Sequence, residues 1–189
     1  METKEYSTEI GGKKITAVFS DLADQANGSV ILKCGETTVM ATAVMSKEPG
    51  NSSWFPLVVD YEEKFYAAGL ILGSRFIRRE GRPSEDATLT SRVIDRTIRP
   101  LFDQTTRNDL HVMVTALSID EDNDPDTLAT IAASIALSTS NIPWNGPVGA
   151  VRIGQKEKGG ELIVNPTYAE REDAVLDALI CGKDGKINM

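Results

Sequence analysis

The sequence is poor in the residues that build metal centres and nucleophilic sites. It contains 1 histidine and 2 cysteines among 189 residues. Cys34 and Cys181 lie far apart and show no metal-ligand spacing, so we interpret both as free thiols that fill a core in a reducing cytoplasm. His111 lies in a predicted strand without a Cys or His companion, which favours a structural role. The sequence thus shows no metal-binding pattern of Cys and His.

Long apolar runs are also absent. No stretch of about 18 apolar residues occurs, so the sequence predicts no membrane span. The first ten residues are polar and lack the apolar core of a secretory signal. The length suits one domain, and 41% hydrophobic residues is ordinary for a soluble globular protein. We therefore expect a cytoplasmic protein.

Positive charge is scarce overall but concentrated at one place. The formal net charge is -8, which argues against a protein that coats nucleic acid along its whole surface. Yet seven of the ten arginines fall between residues 75 and 102. Arginine presents a planar fork of donors that matches phosphate and carboxylate. The cluster predicts one focused polyanion site, and its members are Arg75, Arg78, Arg79, Arg82, Arg92, Arg96 and Arg99.

This arginine stretch divides into a loop and a helix. Residues 73–83 carry Gly and Pro loop signals, and an aromatic among arginines, Phe76, can stack on a base while its neighbours hold phosphate. A helix is predicted over residues 85–101, with Ser84 as N-cap and Pro100 near its end. At about 100° per residue, its three arginines fall within about 60° of one another. The opposite side is predicted to face a core and carries Ala87, Ile94, Ile98 and Leu101.

A structural interpretation of the same arginines stays open. Ion-pair networks resemble functional clusters, and Glu80, Glu85, Asp86 and Asp95 are available as partners. Asp95 and Arg99 are spaced i,i+4 and are predicted to interact.

Alternating apolar residues and turn signals predict a mostly stranded framework around two helices. Gly35 and Glu36 connect two strands as a hairpin, and Trp144 is expected to pack on the core. The predicted strands span residues 6–10, 13–19, 30–33, 37–46, 55–61, 110–118, 148–153, 162–164 and 175–181, with a further strand beginning at 186.

The acidic segment 120–126 (D-E-D-N-D-P-D) allows three interpretations. A calcium loop would need Gly at its sixth place and Glu at its twelfth, where this chain has Pro125 and Ile131. A solvated loop is the second. We favour the third, a helix start with Asp124 as N-cap, Pro125 at the first helical position and Asp126 behind it. Residues 128–138 then form a largely buried, Ala-rich helix.

Two long motifs carry a family resemblance. F-I-R-R-E-G-R-P-S-E from Phe76 and S-R-V-I-D-R-T-I-R-P-L-F from Ser91 closely resemble the first RNase PH-like domain of bacterial polynucleotide phosphorylases, and residues 55–69 and 141–149 match as well. The resemblance implies an α+β, RNase PH-like fold of mixed sheets packed with helices and βαβ-type units. It implies that residues 1–189 are that first domain, truncated at its C-terminal end, with the second RNase PH-like domain and the C-terminal RNA-binding modules absent.

The resemblance also implies a function. The parent protein would be a phosphate-dependent 3′→5′ exoribonuclease, a homotrimer that uses Mg²⁺ or Mn²⁺ and inorganic phosphate in RNA degradation. The metal carboxylates and phosphate loop would lie in the second domain, so no catalytic residue, metal or cofactor is expected in this chain. The expected contacts to single-stranded RNA are Phe76, Arg78, Arg79, Arg82, Arg92, Arg96 and Arg99.

In active domains of this family, a Gly-Thr-Arg type turn holds phosphate, whereas the matching turn here carries carboxylates. Two anions about 4 Å apart repel by about 1 kcal/mol in water and by more when buried. We therefore expect the phosphate site of this domain to be degenerate. Two alternatives stay open: a non-catalytic RNase PH-like ring subunit that guides RNA, and a domain unrelated to RNA whose arginines form internal ion pairs or a subunit contact.

Overall fold

A computed structural model describes residues 3–71 and 81–189 of the chain. Three helices and ten strands occur within these residues. Short 3₁₀ turns add to them at Asp21–Ala23, Phe65–Ala68 and Arg99–Leu101. In chain order the elements are β1 (Lys4–Ile10), β2 (Lys13–Phe19), β3 (Gly28–Cys34), β4 (Thr37–Pro49), β5 (Leu57–Glu63), α1 (Glu85–Ile98), β6 (Asn108–Ser118), α2 (Pro125–Ser138), β7 (Gly149–Gln155), β8 (Ile163–Val164), α3 (Tyr168–Glu172), β9 (Leu176–Lys183) and β10 (Lys186–Ile187).

The strands form two sheets of unequal size. The larger has the order β1-β2-β3-β4-β6-β5, and the smaller has the order β10-β9-β7-β8. All pairs are antiparallel except β5 with β6, which run parallel with α1 between them in the chain. This βαβ unit confirms the predicted fold class. The two-residue connection from β3 to β4 is also confirmed, with Gly35 at φ +59° in the left-handed region that glycine tolerates.

The core lies between the large sheet and the two long helices. Helix α2 packs on β3 and β4, and α1 packs on β5 and on α2. Gly28 on β3 permits this close approach, because a Cβ there would overlap the carbonyl oxygen of Ala136. The strands contribute β-branched and leucine side chains, and the α2 face is built from small residues that are fully buried, namely Ala129, Ala132, Ala133 and Ala136.

Helix α1 has the two faces that its sequence predicts. Ser84 accepts a hydrogen bond from the amide of Ala87 at 3.0 Å, which confirms the N-cap. Ile94 and Ile98 are 0% exposed, whereas Arg92 lies on the exposed side. The regular helix ends at Ile98 rather than at residue 101, because proline at position 100 cannot donate a backbone hydrogen bond, and a 3₁₀ turn completes it.

Several boundaries differ modestly from the sequence prediction. Strand β5 begins at Leu57 and ends at Glu63, and a short helix, α3, occupies a segment for which only a polar connection was predicted. Trp144 packs against the core as predicted, and its indole Nε1 donates to the carbonyl of Ile98 at 3.2 Å. Among the described helices, none is long and apolar enough to cross a membrane.

We expect Ile94→Ala to lower the free energy of unfolding by about 2–5 kcal/mol, because it removes a fully buried side chain and leaves a cavity against the sheet. Leu89→Ala is the matched control on the same helix, since Leu89 is 59% exposed and its truncation should change stability by about 0.5 kcal/mol or less. Urea unfolding of both variants measures the difference. Equal effects would contradict the assignment of the buried face.

Candidate functional site

Four arginines of the predicted RNA-binding set lie in the described residues: three on or just before α1, and Arg99 at its C-terminal end. Arg82 precedes the N-cap, and Arg92 and Arg96 follow one turn apart on the helix; all three are exposed. Phe76, Arg78 and Arg79 of that set lie outside the described residues, as does Arg75. The residues that the structure describes thus present three separate guanidinium groups to solvent along one helix and the segment before it.

Arg99 belongs to the same stretch but points its guanidinium into the protein. Its Nη2 lies 2.6 Å from Asp95 Oδ1, which confirms the predicted i,i+4 pair. The same nitrogen donates to the carbonyl of Leu57 at 3.0 Å, and the guanidinium stacks over the Phe55 ring. Arg99 therefore ties the end of α1 to the start of β5. Within the described residues it is the one arginine of the stretch found in an ion pair.

The start of α2 confirms the favoured interpretation of the acidic segment. Asp124 is the N-cap, and its Oδ1 accepts from the amide of Asp126 at 3.0 Å, with Pro125 at the first helical position. Asp120, four residues before Asp124, accepts hydrogen bonds from the amides of Glu36 at 2.9 Å and Asn123 at 2.6 Å. Partial burial raises the pKa of Asp120, but hydrogen bonds from Asn123 and the backbone lower it to about 2. The carboxylate of Asp120 thus fixes the turn against the β3–β4 hairpin.

Two arginines that sequence reasoning missed converge on Asp124. Arg152 extends from β7 and Arg171 from α3, and their Nη1 atoms lie 2.5 Å and 2.7 Å from the same oxygen, Asp124 Oδ2. Both arginines also bind Asp177 on β9, through Arg152 Nε at 2.6 Å and Arg171 Nε at 3.1 Å. Their side chains are only 15% and 19% exposed. No local pattern in the sequence signals these contacts, because they join distant segments.

The negative charge of Asp126 is balanced by fewer close positive partners than that of Asp124. Thr90 of α1 donates to its Oδ1 at 2.7 Å, and Arg152 Nη1 lies 3.9 Å from its Oδ2. Burial, and then the charges of Asp124 and Glu63, raise the pKa of Asp126 to about 6, against the lowering effects of Thr90 and Arg152. The first turn of α2 therefore holds two carboxylates where an open anion site would present bare amides.

These side chains border a cleft of about 440 Å³ between α1, the start of α2, β7 and α3. Leu89, Val93 and Leu179 give it apolar walls. Its charged lining is predominantly acidic and consists of Glu63, Asp86, Asp124, Asp126, Arg152 and Arg171. The calcium interpretation finds no support here: across residues 3–71 and 81–189, no group of three or more His, Cys, Asp or Glu side chains is arranged to hold a metal ion.

His111 and the cysteines lie elsewhere. His111 Nε2 is 2.8 Å from Asp60 Oδ2, and the pair is exposed on the large sheet rather than in the cleft. Cys34 and Cys181 are buried free thiols, and burial raises the pKa of each, which fits core residues rather than nucleophiles.

Solved structures share this architecture. Rrp46 of rice (Oryza sativa) superposes with a TM-score of 0.70 at 16% sequence identity, covering 100% of this chain and 78% of that one. An Archaeoglobus fulgidus exosome with RNA bound to the active site gives a TM-score of 0.64 at 19% identity, covering 100% and 75%. At these identities the similarity shows the fold alone.

Sequence comparison gives the family. The profile of the 3′ exoribonuclease family, domain 1 (RNase PH), matches residues 11–143, and the chain belongs to this family. A polyribonucleotide nucleotidyltransferase of Exiguobacterium sibiricum is 50% identical over 189 residues, which are 100% of this chain and 25% of that protein. One of Finegoldia magna is 50% identical over 187 residues, 98% and 26% of the two chains. The chain thus spans about a quarter of the length of these curated relatives.

We expect Asp126→Asn to stabilise the protein at pH 7 by about 1–3 kcal/mol. The pKa of Asp126 in the folded protein, about 6, lies above the ordinary value of about 4, so the folded state binds a proton more tightly than the unfolded state. Folding stability contributed by the protonated carboxyl is therefore present below about pH 4 and is lost as the pH rises to about 6. Asparagine keeps an oxygen for Thr90 without the charge.

Unfolding free energies of the wild type and Asp126→Asn, measured between about pH 4 and about pH 8, check this expectation. The two proteins should be similar near the lower limit, separate as the pH rises to about 6, and differ by a nearly constant amount above it. Asp122→Asn removes an exposed carboxylate from the same segment and serves as the control, with little separation expected. A separation between wild type and Asp126→Asn that did not change with pH would contradict the assignment.

Proposed function

We propose that the chain is the first RNase PH-like domain of a polyribonucleotide nucleotidyltransferase, a phosphate-dependent 3′→5′ exoribonuclease of cytoplasmic RNA degradation. The names of the curated relatives and the family of the chain support this proposal. In it, this domain binds and guides single-stranded RNA and contributes to a homotrimeric ring. Phosphate and Mg²⁺ or Mn²⁺ act in a second RNase PH-like domain of the parent protein.

The observation that carries the RNA-binding part is the exposed arginine face of α1. Arg92 and Arg96 are exposed on a helix whose other face is anchored in the core, and within residues 3–71 and 81–189 neither takes part in an ion pair. Arg82 adds a third exposed guanidinium group just before the helix start. In a chain of net charge -8, such a group of arginines concentrates polyanion attraction at one place.

Within the proposed RNA path, the arginines have different roles. We propose that Phe76 stacks on a base while Arg78 and Arg79 bind phosphates. Phosphates are also the proposed partners of Arg82, Arg92 and Arg96. Arg99 is proposed to act indirectly as a positioning residue, because its donors are directed to Asp95 and to the carbonyl of Leu57 on β5.

The acidic start of α2 supports a non-catalytic role for this domain. Phosphorolysis requires a phosphate held by donors beside the RNA end, and the carboxylates of Asp124 and Asp126 oppose an added anion at this turn. The same observation favours a second candidate, a non-catalytic ring subunit that guides RNA. The two candidates differ in whether the parent protein carries the active domain.

We expect the chain to bind single-stranded RNA weakly, with affinity that falls as salt rises. Arg92→Ala/Arg96→Ala should weaken binding for all sequences and reduce the slope of log K against log salt by about 0.7 for each phosphate that is no longer neutralised. Arg78→Ala/Arg79→Ala should act in the same direction. Filter binding of labelled RNA over a salt series from about 50 to about 200 mM measures the slopes.

Lys156→Ala/Lys158→Ala is the matched control, because it also removes two positive charges, from an exposed hairpin tip far along the chain. Its salt slope should stay close to that of the wild type. An equal weakening in the lysine variant, or no salt-sensitive binding at all, would favour the alternative in which the arginines serve protein contacts.

We expect little or no phosphorolysis by the chain itself. Incubation with single-stranded RNA, Mg²⁺ and inorganic phosphate should release no nucleoside diphosphate above background, because the turn that would hold phosphate carries two carboxylates. Chromatography of the products tests this, with a full-length relative such as that of Finegoldia magna assayed in parallel. Robust release by the 189-residue chain would refute the assignment of a degenerate site.

A further inference from the structure

We propose that the start of α2 is an intact anion-binding site whose anion is supplied by the chain itself, as the carboxylate of Asp124. Inorganic phosphate would bind there once that carboxylate is removed. This proposal rests on the proposed function, in which the start of α2 does not bind phosphate. It gives the reason: the donors for an anion are present, but the carboxylate of Asp124 already occupies them.

The donors around Asp124 are those that an oxyanion requires. Two guanidinium groups, from Arg152 and Arg171, reach one carboxylate oxygen at 2.5 Å and 2.7 Å. The backbone amide of Asp126 donates to the other oxygen at 3.0 Å, from the first turn of a 14-residue helix. Charge-assisted bonds from arginine and a helix N-terminus together form a binding site for phosphate or sulfate.

The arginines are held in place independently of Asp124. Asp177 binds Arg152 as a fork, with Nε at 2.6 Å and Nη2 at 2.9 Å, which leaves Nη1 for Asp124. Asp177 also accepts from Arg171 Nε at 3.1 Å, and the Arg171 guanidinium lies 5.0 Å from the centroid of the Tyr168 ring. Both Nη1 atoms would therefore keep their direction after the carboxylate is removed.

Space and charge decide what can replace the carboxylate. The site opens onto the cleft of about 440 Å³, which gives phosphate room that the short aspartate side chain does not use. Asp126, Glu63 and Asp86 face the cleft and oppose a dianion, whereas Arg152 and Arg171 favour it. Neutralising Asp126 as well should therefore tighten phosphate binding further.

Asp124→Ser is the first test, because serine keeps an N-cap hydroxyl while removing the carboxylate. The measurement is the midpoint of thermal unfolding against inorganic phosphate at constant ionic strength, balanced with chloride. We expect a rise in Tm of about 3–6 °C for each tenfold increase in phosphate above its Kd. The wild type should show no such rise, and Asp124→Ser/Asp126→Asn should reach it at a lower phosphate concentration.

Two controls separate the site from general charge effects. Asp122→Ser removes one exposed carboxylate from the same segment and should respond to phosphate as the wild type does. Asp124→Ser/Arg171→Leu removes one of the two guanidinium groups and should abolish the phosphate-dependent rise. Equal rises in Asp122→Ser and Asp124→Ser would overturn the proposal, as would a folded Asp124→Ser that does not respond.

If Asp124→Ser does not fold in chloride, its refolding in phosphate becomes the readout, together with that of Asp124→Gly. Recovery of the native circular dichroism in phosphate but not in chloride supports the proposal, and no recovery in either salt overturns it. If phosphate raises the Tm of the wild type in the same way, the proposed function is contradicted, because it holds that the start of α2 does not bind phosphate. If phosphate stabilises neither the wild type nor Asp124→Ser, this inference is overturned while the proposed function stands.

Discussion

The charge network around Asp124 joins the first turn of α2 to β7, α3 and β9. Helix α2 packs on the large sheet, whereas Arg152 and Asp177 belong to β7 and β9 of the small sheet. Burying charges costs free energy unless their hydrogen bonds are satisfied, and here the forks of Arg152 and Arg171 use both oxygens of Asp177 and one of Asp124. The small sheet is therefore fixed against the first turn of α2 by directional bonds, in addition to apolar packing.

The distribution of charge separates two surfaces of opposite character. The outer side of α1 carries exposed Arg92 and Arg96, and the cleft beside it is lined mostly by carboxylates. An extended polyanion is attracted to the first and repelled by the second, so the net charge of -8 does not prevent a focused contact. Such a division supports the proposed role, in which the domain guides RNA along its surface without catalysing its cleavage.

Local features were predictable from the sequence because they depend on neighbours along the chain. The Ser84 and Asp124 caps and the Asp95–Arg99 pair are of this kind, and the family resemblance supplied the fold. The convergence of Arg152 and Arg171 on Asp124 was not predictable, since these contacts span 28 and 47 residues and depend on how the sheets are placed. For the same reason, the inward direction of Arg99 toward the carbonyl of Leu57 could not be read from helical spacing.

The acidic start of α2 and the arginine-bearing helix α1 are separate in the sequence but directly bonded to each other in the structure. Thr90 lies on the buried face of α1 and donates to Asp126 of α2, so the carboxylate that adds negative charge to the cleft also fixes the rotation of α1. Arg99 fixes the far end of the same helix against β5. With α1 held at Thr90 and at its C-terminal end, the face that carries Arg92 and Arg96 has one orientation. The carboxylate of Asp126, which we propose opposes phosphate in the cleft, thus helps to orient the helix that carries Arg92 and Arg96.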